Sequence, residues 1–259
     1  MITDLHRQSF ERDGFLQLDL ELPVELIDSA RNDFLALYEA GDKDNRLFNG
    51  WKSSKNIESL ALNNTIIQVL SELYGMKPRP FQTLNFLKGT EQKAHSDSIH
   101  FNTQPFGRMC GVWIALEDIN EKQGPLIYYP GSHLLAEFNM PDIGLRGNRD
   151  DYPKYEDYVE SLIENNRYPK KLGVLKKGEI IIWAANLIHG GSPHQNKSLT
   201  RLSQVNHYFF PSKYYWQPLS SKRARSIVEP PWLDGKYGNP LVRVFKKAYL
   251  HYRNKYLAR

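Results

Sequence analysis

The chain has 259 residues, of which 41% are hydrophobic and 24% charged, and it carries a formal net charge of +5. That size and balance predict one soluble globular domain and exclude a disordered or low-complexity protein. No apolar run is long enough to span a bilayer, and the single cysteine, Cys110, excludes an internal disulfide. In chain order, residues 10–18 read as a lead-in followed by a short strand. Pro23 opens a helix in which Leu26, Ile27, Ala30, Phe34, Leu37 and Tyr38 recur at three- and four-residue spacing, and Gly41 ends it. Residues 42–54 are polar and predict a loop. A second helix is expected over 64–74, with Ile66, Ile67, Leu70 and Leu73 on one face and Gly75 as its stop.

Strands dominate the middle of the chain. Residues 81–87, 109–116, 126–129, 179–183 and 203–210 are short, rich in aromatic or branched side chains, and bounded by Gly, Pro or Asn. Such punctuation predicts a mainly β sandwich or barrel with flanking helices. Residues 134–172 break this rhythm and carry a helical stretch near 155–163. They read as a lid insertion over the mouth of the barrel. A C-terminal helix is expected over 240–257, with Leu241, Phe245, Ala248, Tyr252 and Tyr256 forming a docking stripe. Arg243, Lys246, Lys247, Arg253, Lys255 and Arg259 stand in that region with no acid among them. They form either a solvated face or a contact for an anionic substrate, carrier or membrane surface. No recognised module accompanies the charge, so nucleic acid is not expected as a partner. The first residues lack a signal-peptide pattern, and one cysteine fits a reducing cytoplasm. Cys110, within an apolar run, is expected to be a buried, inert thiol.

Candidate chemistry begins at His95-Ser96-Asp97. On an extended segment, residues two apart point to the same face, so this triplet offers one nitrogen and one oxygen to a single ion. His189 follows the apolar run Ile180-Ile181-Ile182-Trp183 and a turn, so a neighbouring strand would deliver it. Two imidazoles and a carboxylate suit a non-haem Fe(II) centre with open coordination positions. Spacing alone does not single out this set, because His100, His194 and His207 qualify on similar grounds. Arg201 opens a strand and shares its face with Ser203. A guanidinium fork there would bind a carboxylate bidentately, with the hydroxyl adding a bond. The plainer alternative for Arg201 is a surface ion pair.

These residues resemble the phytanoyl-CoA dioxygenase family of Fe(II)/2-oxoglutarate oxygenases. The resemblance covers most of the chain. Residues 10–37 look like the family's opening strand and helix, and Asn85-Phe86-Leu87-Lys88-Gly89 leading to His95-Ser96-Asp97 looks like its first metal segment. Gly124-Pro125-Leu126 through Pro130-Gly131-Ser132-His133 looks like its hairpin. Ile188-His189-Gly190-Gly191, with Asn196 and Arg201, looks like its second metal segment, although the stretch from 189 to 196 is longer than the family pattern.

The resemblance implies a double-stranded β-helix, a cupin-like jelly roll carrying N-terminal helices. It makes His95, Asp97 and His189 the catalytic iron ligands and Arg201, with Ser203, the anchor for the distal carboxylate of 2-oxoglutarate. Trp113 would stand near this cosubstrate, and Asn85 would line the active site. Fe(II), 2-oxoglutarate and O2 are the implied cofactors. The carboxylate at Asp97 favours hydroxylation over halogenation, which in similar folds needs a small residue there. His100, Phe101, Asn102 and His207 are candidates to meet the substrate. The leading expectation is hydroxylation of an aliphatic C–H on a small or medium-sized metabolite, anionic or neutral. This would be natural-product, sugar or glycan tailoring. The alternatives are an acyl-CoA or carrier-bound acyl hydroxylase, a non-catalytic jelly-roll binding protein and, last, a zinc hydrolase.

Overall fold

The computed structural model describes residues 2–41 and 44–219. The expected helix over 240–257 lies outside the described residues. The chain opens with α1 (Asp4–Asp13), β1 (Phe15–Leu18), α2 (Val24–Ala40), β2 (Arg46–Phe48), α3 (Lys55–Ala61), α4 (Asn64–Tyr74) and β3 (Arg79–Phe86). It continues through β4 (Asn102–Gln104), β5 (Met109–Ala115), β6 (Leu126–Tyr128), α5 (Tyr152–Asn166), β7 (Lys171–Leu172), β8 (Ile180–Ala184), β9 (His189–Gly191), β10 (Ser203–Phe209) and β11 (Tyr214–Trp216).

Six strands form the larger sheet in the order β1-β8-β5-β10-β3-β2, with every pair antiparallel. A smaller sheet runs β7-β6-β9, and β11 pairs with β4. The side-chain period of two sorts the larger sheet cleanly. Val112, Ile114, Ile180, Ile182 and Tyr208 pack against Ile27, Phe34, Ile57, Leu60, Ile66 and Leu70 of the helices. The alternate residues Leu84, Phe86, Trp113, Ile181, Trp183 and Val205 face the smaller sheet with Tyr128 and Leu175. One face of the larger sheet is therefore a helix-backed core, and the other forms half of a β-sandwich interior.

Several elements were not expected. α1 is capped by Thr3, whose hydroxyl accepts from the His6 amide while His6 Nδ1 accepts from the Thr3 amide, and Gly14 ends the helix in the left-handed region at φ 79°. None of its residues is buried, so no apolar stripe announces it. The expected loop over 42–54 holds the edge strand β2. α3, whose Ser54 cap accepts from Ile57 at 3.0 Å, follows it. Strands β4, β7, β9 and β11 are only two or three residues long, too short for a period to show. Cys110 is fully buried, and that burial pushes its thiol pKa up, as an inert thiol requires. No helix among the described residues is long and apolar enough to cross a membrane.

Candidate metal centre and cosubstrate pocket

The backbone brings the two histidines together. His95 and His189 form a hydrogen-bonded antiparallel pair, with each amide 2.9 Å from the other's carbonyl oxygen. Residues opposed in this way project to the same side. The pairing needs close approach at Gly190, where an added Cβ would lie 2.8 Å from the Gln92 carbonyl oxygen. This accounts for the His-Gly-Gly sequence. Ser96 continues extended at φ −110° and ψ 137°, which returns Asp97 to the face of His95. The ligand atoms of His95, Asp97 and His189 then lie within 4.8 Å of one another, and all three residues are buried.

Both imidazoles are oriented for coordination. His95 Nδ1 lies 3.0 Å from the Lys93 carbonyl oxygen, and His189 Nδ1 lies 2.9 Å from that of Leu187. A carbonyl only accepts, so each Nδ1 carries the hydrogen and each Nε2 presents a lone pair. Those Nε2 atoms stand 3.9 and 3.8 Å from Asp97 Oδ1. Burial, with help from neighbouring His189, lowers the His95 pKa to about 3 and keeps its ring neutral. Burial pushes the Asp97 carboxyl up, but the neighbouring His189, His207 and His95 outweigh it and hold the group below the usual carboxylate range, so Asp97 stays ionised.

A partner of Asp97 was not anticipated from the sequence. Trp183 Nε1 donates to Oδ2 at 2.8 Å, and His207 Nε2 lies 3.6 Å from the same oxygen. Oδ2 is thus engaged from the side, and Oδ1 faces the two imidazoles. The indole lies across Gly111, its cross-strand neighbour, where a Cβ would fall 2.1 Å from Cζ2. The Trp-opposite-Gly pairing is visible only once the strand register is known.

Arg201 shares the cavity with this cluster. Its side chain is almost wholly buried, at 6% exposure. One terminal nitrogen donates to Ser203 Oγ at 2.9 Å and the other to the Lys88 carbonyl oxygen at 3.3 Å, while Nε has no partner. The guanidinium carbon sits 5.2 Å from the Phe86 ring centre and 5.3 Å from that of Trp113. No carboxylate bonds to it among the described residues. Glu117, whose charge it feels, is bonded instead to Thr200 and to the Leu202 amide. Burial lowers the Arg201 pKa to about 10, which still leaves it charged at neutral pH. An unpaired cation this deeply buried calls for an anion. Trp113 Nε1 is also buried without a partner.

The cavity measures about 610 Å³ and is lined by His95, Asp97, His189, Arg201 and Trp113 together with His100, Phe101 and His207. That volume suits a cosubstrate plus a modest substrate. Residues 134–172 contribute Arg149 and Tyr152 to its wall, and the Tyr152 hydroxyl lies 3.2 Å from His100 Nε2.

Two expected site residues lie elsewhere. Asn85 stands between the inward-facing Leu84 and Phe86, so it points to the helical side. There it is fully buried and donates to Gln204 Oε1 at 3.1 Å. Asn102 turns from the cavity and donates to Glu137 Oε1 at 2.8 Å. His194, a competitor for the ligand role, is outside the cluster, with its amide bonded to Glu91.

The architecture and this constellation define a jelly-roll protein with a two-histidine, one-carboxylate cluster and a buried arginine in one cavity. A family model described as phytanoyl-CoA dioxygenase (PhyH) matches residues 10–202, and the chain belongs to that family. The phytanoyl-CoA dioxygenase domain-containing protein 1 of Danio rerio is 33% identical over 109 residues, which cover 41% of this chain and 38% of that protein. Peroxisomal phytanoyl-CoA dioxygenase of Mus musculus is 26% identical over 172 residues, covering 63% and 47% of the two chains. The chain thus matches less than half the length of these curated relatives. Among solved structures, EctD from S. alaskensis with 2-oxoglutarate and 5-hydroxyectoine aligns with a TM-score of 0.69 at 21% identity, covering 92% of this chain and 85% of that one. The non-haem alpha-ketoglutarate-dependent carbocyclase SnoK from nogalamycin biosynthesis aligns at 0.65 and 16% identity, covering 85% and 88%. These likenesses establish the cupin-like jelly-roll fold.

Proposed function

We propose that this protein is an Fe(II)- and 2-oxoglutarate-dependent dioxygenase that hydroxylates an aliphatic C–H of a small or medium-sized metabolite. The observation that carries this reading is the buried, uncompensated Arg201 guanidinium sharing one cavity with the His95, Asp97 and His189 cluster. The donor set fits the ion: two imidazole Nε2 atoms and an ionised carboxylate oxygen lie within 4.8 Å of one another. When bound, Fe(II) with 2-oxoglutarate and O2 supplies oxidation of a C–H bond coupled to decarboxylation of the cosubstrate to succinate.

The chain's own residues do the rest. Carbonyl oxygens of Lys93 and Leu187 fix the tautomer of each ligand histidine, and Trp183 fixes the ligand carboxylate. Arg201 and Ser203 would take the distal carboxylate of 2-oxoglutarate. Phe86 and Trp113, packed on the guanidinium, keep water from that contact. His100, Phe101, Tyr152 and His207 line the remaining wall and would orient the substrate. Segment 134–172 serves as the lid over this wall, within a single domain. Apart from Asp97 no carboxylate lines the cavity among the described residues, which leaves a zinc hydrolase without a carboxylate general base and Arg201 without a role in it.

Relatives' names favour a second reading, hydroxylation of an acyl-CoA. Mass spectrometry of aerobic incubations with Fe(II) and 2-oxoglutarate tests both readings. Succinate formed in step with a hydroxylated metabolite, and abolished in Asp97→Ala, supports the first; turnover confined to coenzyme A esters supports the second. Succinate formation unchanged in Asp97→Ala contradicts both.

A further inference from the structure

Charge in the cavity is not balanced by the proposed cofactors. Among the described residues, the charged side chains lining it, histidines aside, are Arg46, Asp97, Arg149 and Arg201. A divalent cation and Arg201 together match Asp97 and the 2-oxoglutarate dianion, so the resident set is neutral. Arg46 and Arg149 remain as an excess of two positive charges facing the substrate half.

Arg46 is the more telling of the two. It lies on the edge strand β2, half-buried, directly opposite Phe86 in the β3 register. Its guanidinium carbon sits 5.6 Å from the Phe48 ring centre and 5.5 Å from that of Phe86. Two aromatic rings thus hold the planar cation in place and apolar surface surrounds it. Among the described residues it has no hydrogen bond or ion pair to a carboxylate. It lines the same cavity as His100 and Arg201, and its charge depresses the basicity of both. Arg149 reaches the same cavity from the segment over 134–172, and it too has no ion pair among the described residues. A guanidinium fork held by two aromatic rings, in a cavity whose only carboxylate among the described residues is the metal-site Asp97, is built to receive an oxyanion.

We infer that Arg46, assisted by Arg149, binds an anionic group of the substrate, a carboxylate or a phosphate, beside the metal centre. The inference rests on the oxygenase reading above.

The test uses the full-length protein under anaerobic conditions, loaded with Fe(II) and 2-oxoglutarate. The probes are hexanoate, hexyl phosphate and the uncharged hexanamide, and binding is measured by calorimetry. At least one anion should bind ten-fold or more tighter than the amide, and which one it is identifies the anionic group. In Arg46→Gln this preference should disappear, in Arg149→Gln it should shrink, and 2-oxoglutarate affinity should stay within about three-fold of wild type. Equal binding of anions and amide, or a preference that survives Arg46→Gln, overturns the proposal. Loss of 2-oxoglutarate binding in Arg46→Gln also overturns it, by assigning Arg46 to the cosubstrate. If wild type forms no 2-oxoglutarate complex at all, the oxygenase reading falls together with this one. A normal complex without anion preference removes the anion subsite alone.

Discussion

Replacing Arg201 with methionine separates a ligand-binding cation from a structural one. The native Arg201 is 6% exposed and has its pKa lowered from 12.5 to about 10, chiefly by burial. That shift corresponds to roughly 3 kcal/mol of penalty on the charged form in the ligand-free protein. Methionine removes the penalty and keeps most of the volume. It forfeits the bonds to Ser203 Oγ and the Lys88 carbonyl oxygen and the contacts with Phe86 and Trp113, together worth about 3–4 kcal/mol. The two sides nearly cancel, so the Arg201→Met protein without ligands should unfold within about 1 kcal/mol of wild type. Breaking a buried ion pair instead would destabilise by about 3–5 kcal/mol. At a hundred-fold excess over its dissociation constant, 2-oxoglutarate with Fe(II) should stabilise wild type by about 2.7 kcal/mol and leave the variant unmoved. Urea unfolding with and without ligands reads both quantities. A ligand-free variant destabilised by 3 kcal/mol or more would refute the reasoning, because Arg201 would then have a partner within the protein.

Other consequences follow from the same geometry. Trp183→Phe removes the donor to Asp97 Oδ2 and should weaken Co(II) binding by about 10- to 100-fold, read from the metal's visible spectrum. Gly111→Val should do the same by displacing the indole, and wild-type affinity in both variants would contradict the positioning role. His95 and His100, held neutral by burial with pKa values of about 3 and about 4, refuse protons that the unfolded chain accepts. Metal-free stability should therefore fall as pH drops from about 6.5 toward 4, by up to about 1.4 kcal/mol per pH unit for each histidine, and His100→Asn should remove one share of that slope. A flat profile in thermal unfolding would rule this out. Gln204→Leu strips partners from Asn85, Asn206 and the Ile57 carbonyl and should cost about 2–3 kcal/mol of stability. Its 2-oxoglutarate affinity should be unchanged; a loss of affinity would return Asn85 and its network to the active site.

What the sequence revealed follows from how each feature is encoded. Helices α2 and α4 were legible because their apolar residues keep the helical period and Gly41 and Gly75 stop them. The runs around β5, β8 and β10 were legible as strands, but their hydrophobic residues occupy both faces, so they do not say which face the helices cover. That ambiguity explains Asn85. The resemblance placed it in the active site, whereas its parity with Leu84 and Phe86 places it under the helices. α1 escaped because Leu5 and Phe10 are its only apolar residues, too few to form a stripe, and only Thr3 and Gly14 mark its ends. The approach of His95, Asp97 and His189 was foreshadowed by the two-residue spacing and the strand before His189. Spacing could not separate these residues from His100, His194 and His207; the pairing of His95 with His189 does so. The Trp183 bond, the Gly111 cradle and the unpaired state of Arg201 depend on cross-strand register, which no local pattern carries.

The most direct test of the account is anaerobic addition of Fe(II) and then 2-oxoglutarate to metal-free protein, followed by visible spectroscopy. The account predicts a charge-transfer absorption from the chelate in wild type, lost in Asp97→Ala and His189→Ala and shifted to far higher 2-oxoglutarate concentrations in Arg201→Met. Absence of that absorption in wild type, with 2-oxoglutarate failing to bind, would contradict the oxygenase assignment and make the cavity a binding site without this chemistry.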